Sequence, residues 1–394
     1  MQYTKFIAII LSLLFIGAYS NAYAVDSVDL QQKSENTTQY TIVLDAGKNK
    51  TKFFLYQYSK YNDTPTNIHT LSRKVHYPGV ADVPILELSD YLDTLFTPKL
   101  AEQLRQLMTN SKSHSNVFTH IQFYSTEGMR LLSPQECQSK NTFIKLWLTH
   151  WVRRYNLKIE PQQIESRTLS DSEEGAYTWV ATNYAENSFK GAPSGVAKLG
   201  PISSQITYLD PNLANVNVTV GNTQYPLTSK GFLMGQEVVA EKLAKLDACF
   251  LRGYTNTSNG DYFSCKAQLK RLLRKQVNIP VPNAADVSHY NLLSNFYYTA
   301  RFFGIENNYS LNALESQAEK FCNLHWETAK AEYHNINQDY LANYCLGAAY
   351  QSTLLNSHYH ITEPRQLNPV NEFDHKEIVW PLGVLLTKQY QEVY

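Results

Sequence analysis

Tyr40-Thr41-Ile42-Val43-Leu44-Asp45-Ala46-Gly47-Lys48-Asn49-Lys50-Thr51-Lys52-Phe53-Phe54-Leu55-Tyr56 passes from an apolar run, through small and charged residues, into a second apolar and aromatic run. This pattern predicts a β-hairpin, Tyr40–Leu44 against Lys52–Tyr58, with a tight loop from Asp45 to Thr51. A loop of small residues between strands turns backbone N–H groups towards an anion. Thr51 adds a hydroxyl, and Lys48, Lys50 and Lys52 add positive charge. Asp45 would be repelled by phosphate, so its expected part is to hold waters on a bound metal that bridges phosphate oxygens. Gly195-Val196-Ala197-Lys198-Leu199, a turn at Gly200 to Ser204, and Gln205 to Leu209 repeat the arrangement. Two strand–loop–strand units, each opening an α/β segment, predict an internally duplicated fold.

Around the hairpins, leucines at 92, 95, 100, 104 and 107 predict a helix over 89–110, and Val117–Tyr124 reads as a strand. Residues 141–155 read as a helix. Beyond Asp286 the apolar residues predict helices at 290–303, 311–333 and 338–355, and Ile378–Leu386 as a helix start with proline in its first turn. The 394 residues suffice for two domains with sizeable cores. Lys+Arg and Asp+Glu are 35 each, which argues against binding nucleic acid or a membrane surface by charge alone. Lys5, the apolar stretch Phe6–Gly17 and Ala22-Tyr23-Ala24 predict a signal peptide over 1–24. A polar tail over 25–39 follows, and the product is expected to be secreted or periplasmic, with no membrane anchor after cleavage. Cysteine spacing then suggests bridges Cys249–Cys265 and Cys322–Cys345, each closing a loop worth about 3 kcal/mol, with Cys137 left over.

Three further stretches carry chemistry. Ser125-Thr126-Glu127-Gly128-Met129-Arg130-Leu131-Leu132 follows a predicted strand. Ser172-Glu173-Glu174-Gly175-Ala176-Tyr177-Thr178-Trp179 places a carboxylate before glycine at a strand-to-helix turn. Lys198-Leu199-Gly200-Pro201-Ile202-Ser203-Ser204-Gln205 spans the second turn. Together with Asp45-Ala46-Gly47 and Thr51, and in this order, these resemble the first four apyrase conserved regions of the ecto-nucleoside triphosphate diphosphohydrolases. Phe321-Cys322 with Trp326, and Tyr340-Leu341 with Tyr344-Cys345, resemble later stretches of that family and support the Cys322–Cys345 pairing.

The resemblance implies an α/β fold of two RNase H-like domains, as in the actin, Hsp70 and hexokinase superfamily, with the site in the interdomain cleft. Domain I would hold 40–170 and 366–394, and domain II 171–365. It implies a monomer acting on nucleoside tri- or diphosphates with Mg, Mn or Ca. Glu174 would be the base, with Thr126 and Ser203 placing the attacking water. Lys48, Asn49, Lys50, Thr51, Gly200 and Ser204 would bind phosphate, Asp45 and Gln205 would serve the metal, and Tyr350 would stack on the nucleobase. Glu173 and Arg130 would be structural. Ser125 and Glu127 stand where the family carries alanines and Ile202 adds bulk to the second turn, and two further departures bear on the chemistry. Lys198 stands where it carries a metal-organising aspartate, and Pro201 removes a loop N–H donor. A cation 4 Å from Lys198 would be repelled by about 4 kcal/mol per unit charge at an effective dielectric of 20. Two expectations follow: a hydrolase in which Lys198 itself neutralises phosphate, or a catalytically weak or inactive relative that binds nucleotide or a partner.

Overall fold

Strands β1 (Gln39–Ala46) and β2 (Thr51–Tyr61) form the expected hairpin, with Asp45 opposite Lys52 and Ala46 opposite Thr51. In the computed structural model, β3 (Thr64–His76) extends it antiparallel, while β4 (Val117–Ser125) and β5 (Ile164–Thr168) add parallel strands, giving the order β3-β2-β1-β4-β5. The described residues are 37–61, 63–109, 117–243, 247–274, 287–361 and 365–393. The expected signal peptide and nearly all of the expected tail lie outside them.

The second half repeats the plan. β6 (Gly195–Leu199) and β7 (Ser204–Leu209) form a hairpin with Lys198 opposite Gln205. β8 (Val216–Val220) and β9 (Thr223–Phe232) extend it antiparallel. β10 (His289–Ser294) and β11 (Gln366–Pro369) add parallel strands on the other side of β6. The run β9-β7-β6-β10-β11 therefore has the connectivity of β3-β2-β1-β4-β5, and β8 with the late strand β14 (Thr387–Glu392) extends its edge. β12 (Glu372–Phe373) and β13 (Lys376–Glu377) make a short ribbon of their own. The duplication expected from two hairpins is thus present strand for strand, and the fold is two RNase H-like α/β units.

The C-terminal segment, expected with the first half, is divided. β11 and β14 pair in the second sheet, whereas the helix Trp380–Leu386 joins a cluster with Val43, Phe54, Tyr56 and Tyr124 of the first sheet and Tyr177 of the second half. Trp380 stacks on Tyr124 at 6.5 Å between centroids. The expected helix 290–303 begins instead as strand β10, and only Asn295–Phe302 is helical. Tyr290-Asn291-Leu292-Leu293 is buried between two parallel neighbours, and a short apolar run has no period that separates buried strand from helix. The helix expected over 89–110 breaks into Leu88–Leu95 and Pro98–Thr109, because Pro98 cannot continue a helix but starts one well.

Both expected disulfides form, closing separations of 16 and 23 residues, and Cys137 is free. Each bridge lies in the buried core of the second half. Replacing Cys322 and Cys345 with serine is expected to lower stability by about 3 kcal/mol, read from reversible urea unfolding of the variant beside the oxidised wild type.

Candidate active site

The first turn is closed by Gly47 N–H donating to the Lys50 carbonyl at 3.0 Å. It is gripped from two sides. A Cβ on Gly79 would lie 2.0 Å from the Lys48 carbonyl oxygen, and one on Gly128 2.7 Å from Lys48 Cα, so only glycine lets these segments approach. The segment after Gly79 is itself braced by Lys140, a buried lysine whose ammonium donates to the carbonyls of Ala81 and Val83 at 2.7 Å each and of Val80 at 3.3 Å. Lys48 is partly exposed, and Asn49 and Lys50 are exposed at the tip. Thr51 differs from expectation. It is fully buried and its hydroxyl oxygen accepts from Tyr91 Oη at 2.7 Å, so the side chain is not on the open face of the loop. Asp45 lies 3.5 Å from Lys52 Nζ across the hairpin.

Thr126 N–H donates to the Ala46 carbonyl at 3.1 Å, which ties the second motif to the end of β1. Thr126 is buried and precedes the short helix Glu127–Arg130. Arg130 donates to the Leu169 carbonyl at 2.9 Å and pairs with Asp171 at 2.7 Å and Glu174 at 3.0 Å. Bracing is the expected role; the pairing with Glu174 was not legible, because 44 residues separate the two.

Glu174 lies in the helix Asp171–Glu186, whose start is capped by Ser170 Oγ accepting from Glu173 N–H at 3.1 Å. Gly175 brings this helix onto the second sheet: a Cβ there would lie 2.6 Å from Ser229 Oγ and 2.7 Å from Thr207 Oγ1. The Glu174 carboxylate is therefore held between Arg130 and Lys198, 1% exposed, with Lys198 Nζ on Oε1 at 2.8 Å and Arg130 on Oε2 at 3.0 Å. Burial alone would raise its pKa, but the Lys198 ammonium and the Arg130 guanidinium outweigh burial and hold it at about 2. Lys198 is 23% exposed. Desolvation disfavours its charge, yet Glu174, Glu127 and Asp45 together keep its pKa above the ordinary lysine value. Burial and the neighbouring Glu174 push the Glu127 carboxyl up. Glu173 has the structural part expected of it, paired with Arg167 at 2.6 Å and accepting from Tyr177 Oη at 2.8 Å.

The second turn copies the first, with Gly200 N–H donating to the Ser203 carbonyl at 2.8 Å. The carbonyls of Gly200, Pro201 and Ile202 accept from Gln236, Glu237 and Gly235 at 3.0, 2.9 and 2.7 Å. Pro201 and the buried Ile202 thus seat the turn on the start of the helix Gln236–Leu243. Ser203, Ser204 and Gln205 are buried, and both amide atoms of Gln205 lack a hydrogen-bond partner, as orphans awaiting a ligand or water would. Tyr350 corrects an expectation. Its ring is fully enclosed in the core and its hydroxyl donates to the Met234 carbonyl, so it presents no face to a nucleobase. Glu127 and Lys140 were missed. Lys140 has no sequence signal beyond its residue type, Glu127 was noted only as a departure from the motif, and both matter through partners remote in the chain.

The residues do not fit the divalent cation that the resemblance implies. Asp45 already faces Lys52, and both Glu174 oxygens hold cations of the chain. Among the described residues no group of three or more His, Cys, Asp or Glu is arranged to hold a metal.

Two duplicated RNase H-like units, each closing a glycine turn over charged side chains at their junction, define a phosphate-handling fold. The chain belongs to the GDA1/CD39 (nucleoside phosphatase) family, whose sequence profile matches residues 31–237 and 236–392. It is 23% identical over 455 residues to ectonucleoside triphosphate diphosphohydrolase 1 of Rattus norvegicus, covering 97% of this chain and 87% of the relative. It is 24% identical over 410 residues to probable apyrase 3 of Arabidopsis thaliana, covering 88% and 82%. In fold it is similar to nucleoside triphosphate hydrolases from Neospora caninum, with a TM-score of 0.59 at 13% identity, covering 89% of this chain and 92% of that one. It is also similar to a Ppx/GppA family member of Aquifex aeolicus, with a TM-score of 0.50 at 12% identity, covering 89% and 97%.

Because the folded-state pKa of Glu174 lies near 2, below its ordinary 4.5, the carboxylate contributes stability that is complete above about pH 4.5 and is lost as pH falls towards 2. Glu174→Gln removes this contribution. Urea unfolding between pH 5 and 2.5 (a range of ~2.5 units) is expected to show a shallower loss of stability with acid in the variant than in the wild type.

Proposed function

We propose that this chain hydrolyses the terminal phosphoanhydride bond of nucleoside tri- and diphosphates, with Glu174 aligning the attacking water and accepting its proton. The observation that carries the reading is the Glu174 carboxylate itself, buried at the junction of two glycine-closed turns and held by one cation from each half. The relatives are named as nucleoside triphosphate diphosphohydrolase and apyrase, which supports the substrate class.

In an in-line displacement the water oxygen bonds the terminal phosphorus while the bridging P–O bond breaks. Inorganic phosphate and a nucleotide one phosphate shorter leave. The transition state is loose and asks for little push from the nucleophile, so a strongly acidic carboxyl suffices to orient water early and take the proton late. A phosphate that draws the Lys198 ammonium towards itself also loosens the grip on Glu174 and returns its proton affinity towards that of an ordinary carboxylate. Thr126 and Ser203 flank the water in this reading. Lys48, Asn49, Lys50 and Gly200 cradle the phosphates, the buried Ser204 side chain being turned to the core beside Tyr350 and Tyr359, and the Gln205 amide finds its missing partners in the bound ligand. The enzyme works as a monomer outside the cytoplasm. Its domains meet near residue 170, and the chain returns to the first half with the helix Trp380–Leu386.

The ion pair between Lys198 and Glu174 also suits a second reading, a protein of the same fold that binds nucleotide without turning it over. Phosphate release from ATP and ADP separates the two. Glu174→Gln is expected to lower release by about 10²–10⁴-fold, the usual range for removing a general base, while nucleotide affinity stays within a few-fold of wild type. Nucleotide binding by the wild type with no release in any buffer establishes the binding protein instead.

A further inference from the structure

We infer that Lys198 is the resident cation of the phosphate site, so that this chain holds the phosphate chain of its nucleotide without a divalent ion. The inference rests on the nucleotide site proposed above and concerns what neutralises the charge there.

Four observations carry it. First, the duplication makes Lys198 the counterpart of Asp45. Each lies two residues before the glycine that closes its turn, and each is paired across its hairpin, Asp45 with Lys52 and Lys198 with Gln205. The two side chains therefore reach the same space from opposite halves, and Lys198 feels the Asp45 charge.

Second, the charge count comes within one unit of closing without a metal. The cluster joins four carboxyl groups, Asp45, Glu127, Asp171 and Glu174, to three cations, Lys52, Arg130 and Lys198. An aspartate at 198 would make the cluster more negative by two units. A divalent ion would then restore what Lys198 supplies alone. With Lys198 in place, a divalent ion would be repelled by the ammonium and would find its carboxylates already taken.

Third, Lys198 is placed to serve a ligand. It is 23% exposed, whereas the Glu174 beneath it is 1% exposed. An ammonium has three N–H donors, and one is committed to Glu174 Oε1 at 2.8 Å. A phosphate oxygen arriving from solvent meets the remaining face of the ammonium before it reaches Glu174.

Fourth, Gln205 lies directly across the hairpin from Lys198, buried, with both amide atoms unpartnered. An amide offers a donor and an acceptor. It can hold a phosphate oxygen and a water beside the ammonium with no metal shell to serve.

The test is titration of wild type with non-hydrolysable ATP and ADP analogues, in EDTA and in excess Mg, beside Lys198→Asp, Lys198→Met and Lys198→Arg, each first checked for folding by its thermal unfolding. The wild type is expected to bind with affinities in the two buffers within about threefold of each other. Lys198→Asp is expected to lose about 100-fold in EDTA and to recover most of it in Mg, becoming the metal-dependent protein that the wild type is not. Lys198→Met is expected to lose about tenfold or more in both buffers, and Lys198→Arg to keep metal-free binding. Wild-type binding that appears only with Mg overturns the inference while leaving the nucleotide site standing. Absence of binding in both buffers overturns the inference and the proposed function together. Turnover in EDTA is read separately, so that slow chemistry is not mistaken for a missing cation.

Discussion

A single carboxylate, Glu174, is buried almost completely, and the rest of the site is arranged so that it can stay ionised there. Leaving one water-starved charge unpaired would cost several kcal/mol. The fold meets the demand from two directions, with Arg130 arriving from the end of the first sheet and Lys198 from the second. Each cation has further acidic neighbours, Asp171 for Arg130 and Asp45 and Glu127 for Lys198. The network thus spans the junction of the two halves, and none of its members can be changed without altering the charge balance of the others.

Duplication explains why the network has this shape. Two hairpins with the same closing hydrogen bond bring equivalent positions face to face, one from each half. In a symmetric pair both positions would carry the same charge and would need an external cation between them. Here one position is acidic and the other basic, so the pair satisfies itself. Pro201 and Ile202, which look in the sequence like damage to a phosphate loop, are packing residues that fasten the second turn to the helix at Gln236–Leu243.

The hairpins, the duplicated order and both disulfides were legible because each rests on local pattern or on short motifs in fixed order. Tyr290–Leu293 was misread because a strand buried between parallel neighbours has no alternation to betray it. Thr51 was read as ligand-facing from its place in the loop and Tyr350 from the resemblance, and each is instead buried, Thr51 accepting from Tyr91 and Tyr350 donating to the Met234 carbonyl. The braces of the site, Arg130 on Glu174 and Lys140 on the segment beside the first turn, depend on contacts across 44 and about 60 residues that periodicity does not encode.

The helix Trp380–Leu386 has a consequence for how the molecule is made. The first sheet draws all its strands from residues 39–168, and can pair as soon as that stretch has been synthesised. The cluster that joins the halves, by contrast, waits for Trp380 and Val384, and the edge of the second sheet waits for β14. The charged network is drawn wholly from residues before 199, whereas the apolar seam that joins the halves is completed by a helix about 200 residues beyond Glu174.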